Sequence, residues 1–329
     1  MLGGTHFVGR AVVEAALERG DAVTVVTRGL TGRPAPAAEA IHADRTATGA
    51  LTAALGSRSW DAVIDTWSGA PRVVRESARL LAGRAGHYGY VSSRSVYRWP
   101  IPVGSDEAVP VVDADPGSGD DTDYPAAKRG GEIAVRETFG GQALYARAGL
   151  ILGPYELVGR LPWWLRRLER GGRVLAPGPP DRPLQLIDVR DLASWMLACA
   201  QKGLTGVFNV VSRSGHATMG SLLAAVKRES GPHAELVWAA PETISAAGIE
   251  AWTELPIWLP PDGEAAGLHD CNVERAHVAG LRCRPAAETV ADTWRWLCVE
   301  GDPQAPALPG RLPVGLDPAK EERLLATIK

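Results

Sequence analysis

Short, continuously apolar runs alternate with amphipathic helical patterns through the first half of the chain. The runs are AVTVVTRG (22–29), DAVIDTWSG (61–69) and HYGYVSSRSVY (87–97), and the helical patterns end in glycine. Strands that are apolar on both faces are typical of parallel strands covered by helices on both sides. Right-handed crossovers between such strands produce a doubly wound sheet. The sequence therefore predicts an α/β fold built on a doubly wound parallel sheet.

The segment GGTHFVG (3–9) precedes the first helical pattern and has the spacing of a loop that binds a dinucleotide. Gly3 would permit the tight turn and Gly9 the close packing of the helix, whose free N–H groups would face a pyrophosphate. His6 occupies the usual position of the middle glycine, so its side chain either points to solvent or contacts a phosphate. Because only two residues precede the loop, we expect a truncated first strand, with an apolar segment belonging ahead of it and cofactor affinity impaired without it.

Arg28 ends the strand that follows the first helix. Sites that select NAD carry an acid here to bind the ribose hydroxyls, whereas a guanidinium can pair with a 2′-phosphate through two hydrogen bonds. Arg33 is near enough in sequence to assist, and Asp44 and Arg45 end the next strand, where they would border the adenine. The pattern favours NADP(H) as the cofactor, with NAD(H) as the alternative. A solvated arginine at a strand end is the other interpretation of Arg28.

Three further residues have the spacing of a catalytic constellation. Tyr124 and Lys128, in YPAAK, are four residues apart and therefore lie on one face of a helix. A lysine ammonium beside a tyrosine favours the phenolate, so the phenol can exchange a proton with a substrate hydroxyl or carbonyl. Ser93 ends an apolar strand, and its hydroxyl could hydrogen-bond the same substrate oxygen. We predict that Ser93, Tyr124 and Lys128 are catalytic.

With these motifs the chain resembles the short-chain dehydrogenase/reductase superfamily, and within it the extended and atypical branch called the NAD-dependent epimerase/dehydratase family. LGGTHFVGR resembles the variant glycine loop of this branch, YVSSRSVY its serine strand and YPAAK its tyrosine–lysine pair. RAGLILGP resembles the segment beside the nicotinamide, with Ala148 in place of proline, and LQLIDVRDLA and FNVV resemble signatures of the substrate half. The asparagine that usually completes a tetrad is not identifiable, since PRVVRESARLL contains none.

The resemblance implies a Rossmann-type domain over residues 1–154, to which the strand and helix around 184–211 return. Residues 155–183 and 212–329 would form a smaller C-terminal substrate lobe and tail, and PQAPALPGRLPVGLDP (303–318) is expected to be extended. Hydride would pass between nicotinamide C4 and a carbon that bears oxygen, with Tyr124 as the acid/base. The predicted cofactor-binding residues are Gly3, Thr5, His6, Phe7, Val8, Gly9, Arg28, Arg33, Asp44, Arg45, Thr66, Lys128 and Ala148.

Residues that follow the strand ends are expected to face the substrate. Trp163 and Trp164 begin the lobe, and because adjacent helix positions point about 100° apart, at most one of them would face the cleft. Eleven tryptophans beside three phenylalanines indicate either core packing or an apolar or aromatic substrate. The predicted substrate-binding residues are Trp67, Ser68, Ser93, Arg98, Trp163, Arg182 and Gln185.

Composition excludes several other classes of protein. The formal net charge of −3 gives no electrostatic reason to expect a nucleic-acid or membrane partner. No apolar run has the roughly 18 residues of a membrane span. The four cysteines are widely spaced, which argues against a disulfide framework or a metal site and favours a reduced cytoplasm. We expect a cytoplasmic monomer or homodimer that binds a small molecule.

Two further functions stay open beside an NADP(H)-dependent oxidoreductase or epimerase that acts on a small carbonyl or alcohol. One is a non-catalytic module that senses NADP(H) or binds RNA or a protein, although the acidic net charge counts against RNA. The other is a dehydratase or lyase that uses bound NAD+ internally. The surviving Ser/Tyr/Lys set favours an active enzyme.

Overall fold

The computed structural model of the chain describes residues 1–30, 32–302 and 314–328. Most of the stretch expected to be extended, residues 303–313, lies outside the described part. The strands are β1 (Thr24–Thr27), β2 (Glu39–His42), β3 (Trp60–Asp65), β4 (Ala85–Ser93), β5 (Ala143–Ala148), β6 (Leu150–Leu152), β7 (Gly172–Pro177), β8 (Pro183–Leu184), β9 (Leu186–Asp188), β10 (Gly206–Val210), β11 (Ala217–Thr218) and β12 (Ala234–Ala239). The helices are α1 (Phe7–Glu18), α2 (Ala50–Leu55), α3 (Pro71–Leu81), α4 (Tyr124–Phe139), α5 (Arg160–Glu169), α6 (Val189–Gln201), α7 (Met219–Ser230), α8 (Pro241–Ala246), α9 (Glu274–Val278), α10 (Ala286–Glu300) and α11 (Pro318–Leu325).

The central sheet is parallel, and its strands lie in the order β2, β1, β3, β4, β5, β10. Between β1 and β3 a single residue, Leu2, bridges to Val26 on one side and to Asp65 on the other. The predicted doubly wound parallel sheet is confirmed, and Leu2 occupies the position expected for its first strand.

Leu2 fixes where the glycine loop starts. Its N–H donates to the carbonyl of Ile64 at 2.9 Å, and the N–H of Gly3 donates to the carbonyl of Val26 at 3.0 Å. The hydroxyl of Thr66 donates to the carbonyl of Leu2 at 3.3 Å. The loop therefore leaves the sheet at the carboxyl ends of β1 and β3, which is the edge where ligands bind in this class of fold.

Helices cover both faces of the sheet. Helices α1 and α6 pack on one face, and α3 and α4 pack on the other. Alternate residues of β4 serve the two cores: Val91 belongs to the α1/α6 side, whereas Tyr88 and Tyr90 belong to the α3/α4 side. This alternation follows from the two-residue period of a strand.

A separate core holds the C-terminal part of the chain together. It is built from α5, α7, α10 and α11 around the paired strands β7 and β12. Trp164 and Trp258 are fully buried in it, and their indole N–H groups donate to the carbonyls of Pro256 and Gly178. These two tryptophans are packing residues, because each indole N–H has found a backbone partner inside the core.

Candidate functional site

The glycine loop is packed too closely to accept larger side chains. Gly3 has a φ of 79°. A Cβ atom added to Gly9 would lie 2.4 Å from the carbonyl oxygen of Gly3, and one added to Gly4 would lie 2.8 Å from Val25. Glycine is therefore required at the turn and where the helix meets it. Because α1 begins at Phe7, its free N–H groups lie at the carboxyl edge of the sheet, and the residues present fit a dinucleotide phosphate.

The other predicted loop residues surround the amino end of α1. His6 precedes the helix in an extended conformation and is half-buried, and burial lowers its pKa. Phe7 has a φ of 30°, which is strained for a residue with a side chain. Thr5 is buried against Gly32 of the following loop, and Val8 packs partly buried on α6. Contact between His6 and a phosphate stays a prediction.

Two of the residues predicted to bind the cofactor, Arg28 and Asp44, lie at neighbouring strand ends. Arg28 follows β1 and is exposed, as is Arg33. The Asp44 carboxylate, after β2, accepts hydrogen bonds from the hydroxyl and N–H of Thr46 at 2.7 and 2.9 Å. Those bonds, together with the charge of Arg28, hold the pKa of Asp44 below its usual value. Arg28 and Asp44 are thus brought together beside the glycine loop.

Arg45 differs from its predicted role as a cofactor contact. Its guanidinium is buried and donates to both carboxylate oxygens of Asp65, at 2.7 and 2.8 Å, and to the hydroxyl of Ser77. Tyr88 donates to the same carboxylate at 2.7 Å. Burial raises the pKa of Asp65, but Arg45 and these hydrogen bonds outweigh it, so the pKa lies below its usual value. The Arg45 side chain is occupied inside the protein, where it braces the ends of β2 and β3.

The start of α4 places Tyr124 at the surface. The carboxylate of Asp123 accepts a hydrogen bond from the N–H of Ala126 at 2.8 Å, and Pro125 occupies the first turn. Both features are typical of helix starts, because they satisfy or remove N–H groups that have no partner within the helix. Tyr124 is the first helical residue, and 40% of its surface is exposed.

Lys128 lies one turn further along α4 and is buried. Its ammonium donates to the carbonyl of Trp67 at 2.6 Å and to that of Val91 at 2.7 Å. These carbonyls belong to the segment after β3 and to β4. A buried cation is therefore fixed at the carboxyl ends of two adjacent strands, one helical turn from the exposed phenol of Tyr124.

Ser93 lies at the same edge of the sheet. It is the last residue of β4 and is in register with Ala148, the last residue of β5. Its hydroxyl oxygen accepts a hydrogen bond from the N–H of Ser95 and lies 3.1 Å from the hydroxyl of Ser95. Helix α4 packs against the short turn Arg94–Val96 that follows. The structure thus brings Ser93, Tyr124 and Lys128 to one edge.

Glu132, which anchors α4 to the sheet, was not indicated by any motif or spacing in the sequence. Its carboxylate is fully buried and accepts hydrogen bonds from Ser92 at 2.7 Å, from Arg147 at 2.8 and 2.9 Å, and from Arg129 at 2.9 Å. Burial raises the pKa of Glu132, but the bonds to Arg147 and its other partners bring it below its usual value. The helix that carries the tyrosine and lysine is therefore tied to both β4 and β5.

Gln185 was predicted to contact substrate, and the structure shows a different role. The side chain is buried, and its NH2 group donates to the carbonyls of Ser212 and Cys271, each at 2.9 Å. Its carbonyl oxygen accepts from the N–H of Cys271 at 2.8 Å. Both the NH2 group and the carbonyl oxygen of the amide are therefore hydrogen-bonded, and they join the segments around Gln185, Ser212 and Cys271.

The remaining predicted substrate residues have varied surroundings. The Trp67 indole N–H donates to the carbonyl of Ala70 at 3.0 Å, while Ser68 is exposed. Arg98 is paired with Asp113 at 2.7 Å on the surface. The predicted contacts of these three residues with a substrate stay predictions.

Trp163 and Trp164 point in different directions, as the helical geometry requires. Trp164 is fully buried, whereas Trp163 is partly buried and packs edge-on against it, with ring centroids 4.7 Å apart. The Trp163 indole also lies against Gly315 near the C-terminus. Only Trp163 of the two has a solvent-exposed part of its side chain.

Arg182, the other predicted substrate residue of this region, is half-buried just before β8.

Arg94, directly after Ser93, ties the lobe to the sheet. It is buried, and its guanidinium donates to the carbonyls of Leu268 and Gly267 at 2.5 and 2.9 Å. These partners lie about 170 residues away in the chain, so sequence patterns near Ser93 could not indicate them. The contact holds the loop before His269 against the end of β4.

His269 is a buried, neutral histidine. One ring nitrogen accepts the N–H of Gln185 at 3.2 Å, and the other lies 2.9 Å from the carbonyl of Ile257, to which it donates. Burial is the main reason that its pKa falls to about 4. The unfolded chain therefore takes up a proton near pH 6.5 that the folded chain binds only near pH 4.

This difference predicts a pH-dependent stability. The stability contributed by neutral His269 is fully present above pH 6.5 and is lost as the pH falls to about 4, a loss of about 3 kcal/mol. Urea unfolding of wild type and His269→Asn at pH 7 and pH 4.5 would show a smaller pH effect in the variant. His233→Asn, at an exposed position, should keep the wild-type dependence. Equal slopes in wild type and His269→Asn would contradict the assignment.

The parallel sheet, the close-packed glycine loop at its carboxyl edge and the Tyr–Lys helix together define an α/β enzyme that binds a nicotinamide dinucleotide. The sequence profile of the NAD dependent epimerase/dehydratase family matches residues 1–210. The chain belongs to this family and is an NAD(P)-dependent epimerase or oxidoreductase, which confirms the predicted resemblance. No curated protein sequence matches the chain.

Solved structures share the fold over most of the chain. WbmH of Bordetella bronchiseptica, in complex with NAD+, is 17% identical with a TM-score of 0.67, over 92% of this chain and 98% of that one. A putative epimerase from Burkholderia cenocepacia is 21% identical with a TM-score of 0.65, over 89% and 95%. UDP-glucose 4-epimerase of Thermotoga maritima, with UDP-glucose, is 17% identical with a TM-score of 0.63, over 92% of this chain and 98% of that one.

Within the described residues, no helix is both long and apolar enough to cross a membrane.

Proposed function

We propose that this chain is an NADP(H)-dependent oxidoreductase or epimerase that acts on a carbonyl or alcohol carbon of a small substrate. The observation that carries the proposal is Lys128, a buried ammonium fixed to the ends of β3 and β4 one helical turn from the exposed Tyr124. Packing alone does not require a buried lysine, Lys128, one helical turn after an exposed tyrosine, Tyr124. The substrate cleft is assigned to the edge that also holds Ser93.

The residues of the chain would divide the proton chemistry between them. The Tyr124 hydroxyl gives a proton to the substrate oxygen, or takes one from it, as the carbon is reduced or oxidised. Lys128 holds a positive charge at the same edge, one helical turn along α4 from the phenol. The Ser93 hydroxyl donates a hydrogen bond that holds the same oxygen. When bound, the nicotinamide dinucleotide supplies or accepts the hydride.

The glycine loop and the amino end of α1 are assigned to the cofactor phosphates, and Arg28 to the 2′-phosphate of NADP(H). Support comes from the exposure of Arg28 at the end of β1, beside the loop. A guanidinium offers two parallel N–H groups to a phosphate. Arg33 and Asp44 flank this position. NAD(H) lacks the group that Arg28 would bind.

Arg28→Ala should therefore weaken NADP(H) binding selectively. Loss of a charge-assisted pair of hydrogen bonds is expected to raise the Kd for NADP+ about tenfold or more, with the Kd for NAD+ nearly unchanged. Isothermal titration calorimetry measures both constants. Arg79→Ala, at an exposed position on α3, is the control and should change neither. Equal weakening of both cofactors in Arg28→Ala would contradict the assignment.

A carbonyl and alcohol panel tests the reaction itself. Purified protein is incubated with NADPH or NADP+ and each compound, and both cofactor oxidation and product identity are followed. Net oxidation of NADPH indicates a reductase, whereas interconversion of epimers without net cofactor change indicates an epimerase. Tight binding of cofactor with no conversion across the panel would instead support a non-catalytic module. Oxidised cofactor that copurifies with the protein would support a dehydratase.

A further inference from the structure

Arg182 has a firmly held backbone just before β8. Its N–H donates to the carbonyl of Pro179 at 3.0 Å, and its own carbonyl accepts the N–H of Met219, the first residue of α7, at 2.9 Å. The side chain is therefore presented from a fixed point in the C-terminal lobe. Residues that contact ligands act best when the surrounding structure fixes their position.

The Arg182 guanidinium has one edge without a partner. Its Nε and Nη2 atoms are shielded from solvent and make no hydrogen bond to any described residue. These two N–H groups lie on the same edge of the planar group, which is the edge that pairs with two oxygens of a carboxylate or phosphate. Burial lowers the pKa of Arg182, and Asp270 and Asp262 partly oppose this effect. The side chain as a whole is half-buried, and donors that are shielded from solvent without an acceptor are unfavourable.

Arg167, which is buried in the same lobe, differs from Arg182 because its donors have protein acceptors. Arg167 donates to Glu321 at 2.7 Å and to the carbonyls of Gly171 and Arg173 at 3.2 and 2.6 Å. The lobe thus supplies partners where an arginine has only a structural role. The Nε and Nη2 donors of Arg182 have no such acceptor among the described residues.

The segment that follows Arg182 is linked to the end of β4, because the N–H of Gln185 donates to His269 and Arg94 donates to the carbonyl of Leu268. The charges of Arg182 and Arg94 both act on His269, and Arg94 directly follows Ser93. The Nε of Arg94 is also buried without a partner among the described residues. Two guanidinium groups therefore flank the loop that covers the end of β4, where the substrate is assigned.

We propose that the Nε/Nη2 edge of Arg182 binds an anionic group of the substrate, a carboxylate or a phosphate. This inference rests on the proposed function and names the substrate class: a carbonyl or alcohol compound with an acidic group. The anion accepts hydrogen bonds from both Nε–H and Nη2–H. Because the anionic group is distant from the reacting carbon, this contact orients the substrate without taking part in the reaction. Arg182 is then a specificity-determining residue rather than a catalytic one.

The test is an anion titration read by thermal unfolding. Wild type, Arg182→Met and the exposed control Arg170→Met are titrated with sodium phosphate or sodium acetate, against sodium chloride of equal ionic strength. Saturating NADP+ fills the glycine loop, so that phosphate bound there does not contribute. We expect the Tm of wild type and Arg170→Met to rise with at least one of the two anions. Arg182→Met should lose that rise, with an apparent Kd about tenfold weaker or more.

Stability without the anion separates a binding role from a structural one. Removing a half-buried guanidinium with two shielded, unpaired donors should raise the Tm of Arg182→Met in chloride, whereas removal of a structural arginine would lower it. A lower Tm with an unchanged anion response overturns the proposal. Arg182→Lys keeps the charge but lacks the two-donor edge, and it should lose the response while folding normally; an intact response in this variant also overturns it.

The titration also identifies the source of the anion. A response to phosphate alone indicates a phosphate ester, and a response to acetate alone indicates a carboxylic acid; either supports the proposal. Failure of NADP+ to bind counts against the proposed function, not against Arg182, since the comparison of wild type with Arg182→Met can be repeated without it. Conversely, Tyr124→Phe should retain the anion response of wild type.

Discussion

Tyr124→Phe is expected to reduce kcat/KM by about 100- to 10,000-fold, the contribution typical of a positioned acid/base. The substitution removes one hydroxyl from a side chain that is 40% exposed at the start of α4. It leaves in place the Asp123 cap and the hydrogen bonds of Lys128. The Kd for NADP+ and the Tm should therefore stay close to wild type. Steady-state kinetics with a substrate from the carbonyl panel measures the loss.

Tyr145→Phe is a matched control for this experiment. Tyr145 lies in the middle of β5 and is buried in the α3/α4 core, away from the carboxyl edge of the sheet. Loss of its hydroxyl should leave kcat/KM near the wild-type value. If Tyr124→Phe turned over substrate as fast as Tyr145→Phe, Tyr124 would not be the acid/base. Lys128 is a less clean target, because its removal would leave two carbonyls without their donor.

The meeting of Ser93, Tyr124 and Lys128 at one edge of the sheet could be predicted from the sequence because its signals are local. The glycines of the loop, the helix start at Tyr124 and the end of β4 at Ser93 are each set by residues within one turn or one strand. The sheet then brings strand ends together by its topology alone. Parallel order and right-handed crossovers were sufficient to place Ser93 near the amino end of α4.

Partners that are distant in the chain could not be predicted. Arg45 was assigned to the cofactor because it ends a strand, but a carboxylate 20 residues later, Asp65, binds both terminal nitrogens of its guanidinium. Gln185 was assigned to substrate, but its amide joins Cys271, 86 residues away. Strand-end position predicts which edge a residue reaches. Strand-end position does not reveal whether the side chain is already hydrogen-bonded to another residue inside the protein.

The excess of tryptophan shows the same limit. Trp164, Trp195 and Trp258 are buried, and the first and last of these donate to backbone carbonyls within the C-terminal core. Composition alone does not distinguish an aromatic cleft from an aromatic core, since both need large planar side chains. The indole partners decide between them. For Trp164 and Trp258 the structure favours packing.

Glu132→Ala is expected to lower the free energy of unfolding by about 3–5 kcal/mol, since it leaves the buried guanidinium of Arg147 without its anion. Arg147 is 3% exposed and makes two hydrogen bonds to Glu132. Ser92 and Arg129 lose a partner as well. Urea unfolding at neutral pH measures the change. Glu137→Ala, at an exposed position on the same helix, should cost less than about 0.5 kcal/mol.

A double variant separates the charge from the packing. Glu132→Leu with Arg147→Met removes both charges and should recover most of the stability lost in Glu132→Ala, because apolar pairs of similar volume often replace buried ion pairs without loss. The hydroxyl of Ser92 keeps the recovery incomplete. Since Glu132 titrates below its usual value of 4.5 in the folded chain, its stabilisation is present above that pH and declines as the pH falls further. The double variant should be less sensitive to acid than wild type, and equal acid sensitivity would show that Glu132 is not held by Arg147.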